Sequence, residues 1–411
     1  MPSSIHESIF YGPNSQGKLK RGFMRYKGIN ALTGETIEIE IKHTRITRIK
    51  KIAASDGLPY LAPGFFDIQV NGHKGDGYSH EDFSEEIIKK IISSLDASGT
   101  TRHLATLVTI PNERILKNLT GIAQTVKNSE KIASAIAGIH IEGPYLSAED
   151  GPRGAHEPAY IHDPDFSEFQ TWQAAADGLI RLVTLAPERK GAIEFVQKVS
   201  ATGVIVSIGH TAADPERIRQ AIKAGARMTT HLGNGSHNLL PRLKNYIWEQ
   251  LAADELAAGI ICDGFHLPKA VVKVFKRAKG LERLILVSDV AYYAGLEPGI
   301  YRFENTDVQV FEDGHLGLAG SDYLAGAAHL LDRDIAQFMA YTQSTLAETI
   351  PLCTSNPYRI LEFPDNYGKL EIDSPADLVL FDYQAGYDRL DVIKTIRNGE
   401  EVFNKESMPR K

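Results

Sequence analysis

Four residues with metal-binding or acid–base side chains each follow a stretch of apolar residues. They are Glu142, His210, His231 and Asp289. Two imidazoles and one carboxylate are a typical ligand set for Zn²⁺ in a hydrolytic centre, and they leave one position open for water. Water held there has a pKa of roughly 7, so a nucleophile is present at neutral pH. The remaining carboxylate, Asp289, would take the proton of the water and pass it to a leaving group.

Glu142 makes the strongest individual case for this prediction. A carboxylate at the end of a buried strand is costly to desolvate unless a cation lies near it. Gly143-Pro144 turns the chain directly after Glu142. Any one histidine is weak support, because the chain contains 14 of them. The recurrence of such residues after successive apolar stretches indicates a shared site.

Eight apolar stretches are predicted to be β-strands, with amphipathic helices between them. This alternation indicates a parallel sheet, and eight such units favour a closed (β/α)8 barrel of the TIM type. An open doubly wound sheet is the alternative, but the first strand–helix turn lacks the Gly-x-Gly-x-x-Gly of that fold. The carboxyl ends of barrel strands meet at one mouth, which would bring the four residues together. The predicted strands are 65–70, 102–110, 133–141, 180–185, 204–208, 226–230, 257–262 and 284–288.

Both ends of the chain have the pattern of β-strands. Residues 35–51 alternate polar and apolar side chains, and residues 376–382 and 391–403 are also predicted to be strands. We therefore expect an α/β protein, a (β/α)8 TIM-type barrel with a small β-sandwich domain formed by both chain termini. The expected division is 1–61 and 365–411 for the β domain, and 62–364 for the barrel.

Charge and cysteine content exclude several classes of partner. The net charge is −7 and the isoelectric point is near 6.1, which gives no general attraction to nucleic acid or to an anionic membrane. Residues 1–12 lack the pattern of a secretory signal, and no apolar run approaches the length of a membrane span. Cys262 and Cys353 are far apart in sequence, which argues against a disulfide framework. We expect a cytoplasmic protein that binds a small molecule.

The candidate residues lie within a series of motifs that keep a fixed order. The most specific are HIEGP at 140–144, GH at 209–210 and TH at 230–231; others are PGFFDIQVNG (63–72), RGAHEP (153–158), DGFH (263–266), LVSDVAYYAG (286–295) and LAGS (318–321). The sequence resembles the N-acetylglucosamine-6-phosphate deacetylases of the amidohydrolase superfamily. This resemblance implies a metal held by Glu142, His210 and His231, with Asp289 as the catalytic acid/base. In that family, metal-activated water attacks the acetamide carbonyl and yields acetate and a free amino sugar.

The same resemblance implies which residues bind the substrate. His156 and His266 would orient or polarise the acetamide and the sugar hydroxyls. Arg242 has the spacing of the arginine that binds the 6-phosphate of the family's substrate. In the family this arginine is donated across a dimer interface, which implies a homodimer, and its planar fork suits a phosphate. The residues that would line the sugar are Ala155, Asn234, Gly235 and Leu318.

Departures from the family pattern narrow the prediction to one metal. Gln69 and Asn71 stand where many amidohydrolases carry His-x-His, and neutral amides are poor ligands for Zn²⁺. The predicted fourth strand also ends without the lysine that bridges two metals in other members. We therefore expect one divalent ion. Two imidazoles and a carboxylate favour Zn²⁺, while Fe²⁺, Co²⁺ and Mn²⁺ fit similar ligands.

Other departures fall on the sugar and phosphate side of the expected site. Residues 233–245 replace the usual Asn-Ala-Met and Arg-Glu-Pro of the family, and Asp322 stands where a small or hydroxylic residue is more usual. Two alternatives therefore stay open. One is an amidohydrolase for a different N-acyl amino sugar or a cyclic amide, without phosphate recognition. The other is a non-catalytic scaffold that kept the barrel.

Overall fold

The computed structural model describes residues 23–303, 305–321 and 323–407. The expectation about a secretory signal in residues 1–12 and the departure at Asp322 lie outside these residues. The described chain opens with four strands, β1 (Met24–Asn30), β2 (Thr36–Lys42), β3 (Arg45–Lys51) and β4 (Tyr60–Pro63).

Eight parallel strands in the described residues form the barrel, as predicted. The first and last barrel strands meet at a bridge between Val70 and Val290. Across this seam the backbone N–H of Ser288 donates to Oδ1 of Asp67. In chain order the barrel strands are β5 (Phe65–Val70), β8 (Thr100–Leu107), β9 (Ile136–Glu142), β10 (Ile180–Leu185), β11 (Ile205–Ile208), β12 (Met228–Thr229), β13 (Ala257–Ile260) and β14 (Leu284–Leu286). A short separate hairpin of β6 (Gly72–His73) and β7 (Asp76–Gly77) lies between β5 and β8 in the chain.

Several predicted strand limits were wrong, and the largest differences are in the second and third strands. The third predicted strand, 133–141, begins only at Ile136, because residues 130–133 form a short helix. The hydroxyl of Ser129 caps that helix by accepting from the N–H of Ile132, so local capping prevails over the apolar pattern. The second predicted strand, 102–110, ends at Leu107. Thr109 therefore lies in the loop at the barrel mouth.

The helices between the barrel strands bury an apolar side. In the first helix, Ser84 caps the start, and Ile88, Ile91 and Leu95 are buried. Every helix in the described ranges is too short or too polar to cross a membrane. The helices are α1 (Glu85–Ala97), α2 (Asn112–Asn128), α3 (Glu130–Ala133), α4 (Phe166–Ala175), α5 (Ala192–Ser200), α6 (Pro215–Ala224), α7 (Tyr246–Ala252), α8 (Lys269–Lys279), α9 (Leu331–Thr342), α10 (Leu346–Thr349) and α11 (Ser355–Ile360), with 3-10 turns at Pro158–Tyr160, Leu281–Arg283, Ile350–Cys353 and Lys405–Ser407.

A small antiparallel sheet stands beside the barrel mouth. In the described residues it comprises β15 (Gly299–Phe303), β16 (Thr306–Val310) and β17 (Leu316–Leu318), and we refer to it as the mouth sheet. Val308 and Leu316 of this sheet pack with Ala291 and Tyr293 from the loop after β14. The mouth sheet is thereby attached to the loop that also carries Asp289.

Strands from the two ends of the chain form a separate sheet, as predicted. The last strands are β18 (Leu378–Asp382), β19 (Asp391–Arg397) and β20 (Glu400–Asn404), and the order among the described residues is β20-β19-β18-β4-β1-β2-β3. The sheet curls on itself, because Ile39 and Ile46 of one end share a buried cluster with Leu378 and Ile396 of the other. It therefore packs as a sandwich while its hydrogen bonds form one sheet.

Two buried ion pairs join this terminal sheet to the barrel. Nε of Arg102 donates to Asp377 over 2.7 Å, and Arg397 pairs with Asp96 at the end of α1. The division into 1–61 and 365–411 on one side and 62–364 on the other stays a prediction. Strand β4 crosses the first of these limits and passes directly into the barrel.

Candidate metal centre and active site

Glu142, His210 and His231 come together at the carboxyl ends of β9, β11 and β12. Oε1 of Glu142 lies 2.9 Å from Nε2 of His231 and 3.4 Å from Nε2 of His210. The two Nε2 atoms are 3.0 Å apart. All three side chains are buried, and in the described residues they form the one group of potential ligand atoms within 4.8 Å of one another. Their number and chemistry fit one divalent ion with an open position.

The ring of His210 is oriented to offer a lone pair to a metal. Its Nδ1 lies 2.8 Å from the backbone carbonyl oxygen of Pro152. A carbonyl oxygen can only accept, so Nδ1 carries the proton and Nε2 of the neutral ring is free to bind a metal. The residues present therefore fit the metal that the resemblance implies.

Three of the four residues predicted to do chemistry have strained backbone conformations. The φ angles are 49° at His210, 28° at His231 and 50° at Asp289. Positive φ is uncommon for residues with a side chain and costs about 1–3 kcal/mol each. Such residues cluster at functional sites, where the surrounding structure holds them. The strain at these strand ends therefore supports a functional role for the cluster.

Two glycines pack closely against the His210 ring. A Cβ atom on Gly235 would lie 2.5 Å from Nδ1 of His210, and one on Gly154 would lie 3.2 Å from its Cε1. Both glycines also have positive φ, 54° and 59° respectively. A side chain at Gly235 would therefore displace the ring, and one at Gly154 would crowd it and strain the backbone.

Gln69 and Asn71 act as hydrogen-bond donors to the two carboxylates. Nε2 of Gln69 donates to Oε1 of Glu142 over 2.9 Å, and Nδ2 of Asn71 donates to Oδ1 of Asp289 over 2.8 Å. The two amides that replace His-x-His therefore hold the acidic residues in place. This arrangement agrees with a single metal.

Burial and neighbouring charges shift the pKa values of the acidic residues in opposite directions. Burial alone would raise the pKa of Glu142, but hydrogen bonds from His210 and His231 outweigh it and hold the pKa well below its ordinary value. Burial raises the pKa of Asp289 to about 7, and the charge of Glu142 adds to this effect. Glu142 is therefore suited to stay ionised as a ligand, and Asp289 to exchange a proton near neutral pH.

His156 and His266 both face the cavity beside the metal ligands. Nε2 of His156 lies 3.2 Å from Nε2 of His210, and its Nδ1 lies 2.9 Å from Oγ1 of Thr109. Burial lowers the pKa of His156 to about 3, so this ring is neutral at physiological pH. Nδ1 of His266 donates to Asp263 over 2.8 Å.

These residues surround a cavity of about 380 Å³ at the barrel mouth. Ala155, Asn234 and Gly235 line it, as the resemblance implied. Leu318 and Arg242 are not among its described lining residues. Leu318 is in the mouth sheet, packed behind the wall, and Arg242 is exposed on the loop between β12 and α7. The structure thus brings together every predicted site residue except these two.

Several residues of the cavity wall were not predicted from the sequence. Thr109, Tyr292, Tyr293 and Tyr323 all line it. Thr109 follows a barrel strand, so the strand-end rule would have found it if the end of β8 had been placed correctly. Tyr292 and Tyr293 follow Asp289 within three or four residues, and their proximity was the available signal. Tyr323 follows the LAGS motif by two residues, and this proximity was its available signal.

Comparison with known proteins identifies the family. The amidohydrolase family matches residues 60–402. The N-acetylglucosamine-6-phosphate deacetylase of Bos taurus is 32% identical over 363 residues, 84% of each chain, and that of Bacillus subtilis is 30% identical over 381 residues, 92% of each chain. A variant of the Mycobacterium smegmatis enzyme, solved in complex with N-acetyl-D-glucosamine-6-phosphate, is similar with a TM-score of 0.82 and 29% identity, covering 92% of this chain and 99% of that chain. The protein therefore belongs to the amidohydrolase family and, within it, to the N-acetylglucosamine-6-phosphate deacetylases.

Proposed function

We propose that the protein removes the N-acetyl group of N-acetylglucosamine 6-phosphate and releases acetate and glucosamine 6-phosphate. The observation that carries the proposal is the buried group of Glu142, His210 and His231 in the same cavity as Asp289. This group occurs in a chain that matches enzymes of this activity along most of its length.

We infer that Glu142, His210 and His231 hold one divalent ion. Zn²⁺ is favoured by two imidazoles and a carboxylate, and Fe²⁺, Co²⁺ or Mn²⁺ fit the same ligands. When bound, the ion would supply a Lewis acid that activates water and polarises the acyl oxygen. Elemental analysis of the purified protein would identify the ion.

The residues around the ligands supply the proton transfers. Asp289 takes a proton from the attacking water and delivers it to the nitrogen of the amide as the C–N bond breaks. Its raised pKa suits both steps, and Asn71 holds the carboxylate in place through Oδ1.

His156 and His266 are assigned to orient the acetamide and the sugar hydroxyls. Ala155, Asn234 and Gly235 line the cavity and are assigned to contacts along the sugar, whereas Leu318 is not among the described lining residues.

Phosphate recognition is proposed to require a second copy of the chain. The described residues that line the cavity include no lysine or arginine. Arg242 is exposed near exposed apolar side chains, with Leu239 91% and Leu243 75% accessible. Such a surface suits contact with another subunit. We therefore propose a homodimer in which Arg242 of one copy reaches the phosphate bound by the other.

The described lining of the cavity contains no lysine or arginine, and this also favours one alternative function. An amidohydrolase for another N-acyl amino sugar or a cyclic amide, without a phosphate, would need no cation at this place. Comparing the turnover of N-acetylglucosamine 6-phosphate with that of N-acetylglucosamine separates the two proposals. A charge-assisted hydrogen bond contributes roughly 1.5–3 kcal/mol, so we expect the phosphate to raise kcat/KM by about 10- to 150-fold.

The Arg242→Ala variant should remove most of this preference for the phosphorylated substrate. Equal turnover of both substrates by the unsubstituted protein, together with no effect of Arg242→Ala, would favour the alternative. Sedimentation of the unsubstituted protein tests the dimer directly. A monomer that still prefers the phosphate would contradict the shared site.

A cytoplasmic location is proposed from the cysteines. Cys262 and Cys353 are both free and buried, which suits a reducing compartment.

A further inference from the structure

Glu188 binds the turn that carries His210. It is half-buried in the loop after β10. Its Oε1 accepts from the backbone N–H of Ala212 over 2.7 Å, and its Oε2 accepts from the hydroxyl of Thr211 over 2.6 Å. Both oxygens of one carboxylate therefore contact the two residues that directly follow His210.

The chemistry of the groups determines the direction of these two hydrogen bonds. A backbone N–H can only donate, so Ala212 donates to Oε1 of Glu188. The hydroxyl of Thr211 accepts from the N–H of Ala213 over 3.0 Å, which leaves its own proton for Oε2. An ionised carboxylate can only accept, and its charge strengthens both bonds. Glu188 therefore satisfies two donors of the same turn.

The turn needs support on both sides because the backbone of His210 is strained. Its φ is 49°, which is uncommon for a residue with a side chain. Gly209 before it is closely packed, since a Cβ atom there would lie 2.8 Å from side-chain atoms of two threonines. The carbonyl oxygen of His210 accepts from the N–H of Ser147 over 2.9 Å. Glu188 supplies the matching support on the C-terminal side of the turn.

We propose that Glu188 is a positioning residue for His210. By binding Thr211 and Ala212, it keeps the turn in the conformation that places Nε2 of His210 beside the other two proposed ligands. Glu188 is not among the described residues that line the cavity, so its effect reaches the site through the turn. The inference rests on the proposed function, because it takes His210 as a metal ligand.

Glu188→Met tests the proposal because methionine has a similar length and carries no oxygen. Residues that orient metal ligands typically contribute 10- to 100-fold to affinity, so we expect the dissociation constant for Zn²⁺ to rise about 10- to 100-fold. Competition with a chelating dye measures it, and circular dichroism checks that the variant is folded. An unchanged dissociation constant in the folded Glu188→Met variant would overturn the proposal.

Glu188→Gln is the conservative variant that should restore the contact. Its amide oxygen can accept from the N–H of Ala212, and its amide N–H can donate to the hydroxyl oxygen of Thr211. We therefore expect Zn²⁺ affinity within about threefold of that of the unsubstituted protein. A Glu188→Gln variant that binds Zn²⁺ as weakly as Glu188→Met would overturn the proposal.

Glu348→Met is the matched control. The carboxylate of Glu348 accepts from a backbone N–H and a threonine hydroxyl, both of Thr345, over 2.8 and 3.3 Å. Glu348 is half-buried like Glu188 and lies in α10, outside the described lining of the cavity. Its replacement removes a similar pair of hydrogen bonds and should leave Zn²⁺ affinity unchanged. An equal loss of affinity in the two methionine variants would overturn the proposal.

Thr211→Val tests the contact from the other side and keeps the proposal testable if Glu188→Met does not fold. Valine has the shape of threonine and lacks the hydroxyl, so we expect the dissociation constant for Zn²⁺ to rise at least about threefold. Thr211→Ser keeps the hydroxyl and should bind Zn²⁺ like the unsubstituted protein. An unchanged dissociation constant in Thr211→Val would contradict the proposed role of Glu188.

Amide hydrogen exchange of the metal-free protein tests the turn without metal or substrate. The peptide that contains residues 209–213 should exchange at least about 10-fold faster in Glu188→Met and at the unsubstituted rate in Glu348→Met. Exchange at the unsubstituted rate in Glu188→Met would overturn the proposal. If the unsubstituted protein had no deacetylase activity, the proposed function would fail, while Zn²⁺ affinity and amide exchange would still judge Glu188.

Discussion

The side-chain amide of Gln69 donates to Oε1 of Glu142 over 2.9 Å, the same oxygen that lies closest to the two histidine ligands. This amide therefore fixes the orientation of the carboxylate that we propose as a metal ligand. Partners of this kind typically contribute 10- to 100-fold to metal affinity.

Replacing Gln69 with leucine should weaken metal binding. The carboxylate of Glu142 would lose a buried donor, so we expect the metal dissociation constant to rise about 10- to 100-fold. Competition with a chromophoric chelator measures it. Gln220→Leu, at a half-buried position of α6 outside the cavity, is the control and should bind metal like the unsubstituted protein. Unchanged affinity in Gln69→Leu would show that Glu142 is oriented without the amide.

Asp289→Asn should abolish turnover without loss of metal. Asparagine keeps the shape of the side chain and cannot take a proton, so kcat should fall by about 10²- to 10⁴-fold, the usual contribution of an acid–base residue. Assays of acetate release and elemental analysis of the same sample check both parts. Asp313→Asn, which alters an exposed carboxylate, should retain full activity. Substantial turnover by Asp289→Asn would reject the assigned role.

Gly235→Ala should disturb the metal site through the His210 ring. The added methyl group would lie 2.5 Å from Nδ1 of His210, so the ring or the loop must move. We expect metal affinity to fall at least about 10-fold. Gly203→Ala is the matched control, because Gly203 also has positive φ but has no atom within 4 Å of the added methyl group. It should lose only about 1–2 kcal/mol of stability to backbone strain and keep its metal affinity. Equal metal affinity in the two variants would show that the site tolerates the contact.

Asp67 should make the protein less stable as the pH rises. Burial raises the pKa of Asp67 from 3.8 to about 7, although Ser288 and backbone N–H groups donate to it. Between pH 3.8 and pH 7 the folded state binds more protons than the unfolded state. The contribution of the Asp67 carboxyl group to the stability of the fold is therefore complete below pH 3.8 and is lost as the pH rises through about 7.

Asp67→Asn removes this titration at the β5–β14 seam. We expect the free energy of unfolding at pH 8 to increase by about 1–3 kcal/mol and its decrease between pH 5 and pH 8 to become shallower. Urea unfolding at several pH values measures both. The exposed Asp313→Asn serves again as the control. A lower stability of Asp67→Asn at pH 8 would contradict the buried-charge argument.

The apolar pattern was enough to predict the barrel and the end of the barrel at which the site residues lie. Each barrel strand is a short apolar stretch, so its carboxyl end is visible in the sequence and the four polar residues at such ends could be assigned to one mouth. The seven-stranded arrangement of the described terminal strands was less predictable, because strand pairing between the two ends of the chain depends on contacts hundreds of residues apart. The helical start at residues 130–133 was missed because an N-cap acts locally against the apolar pattern.

The sequence alone was therefore enough to predict the barrel and the meeting of Glu142, His210, His231 and Asp289 at its mouth, since these depend on strand periodicity and on side-chain chemistry. Only the tertiary structure decided that Gln69 contacts Glu142, that Thr109 contacts His156, and that Arg242 stays outside its own cavity. These relationships join loops from different parts of the barrel. The path of a loop depends on packing against the whole fold, which no local pattern of residues encodes.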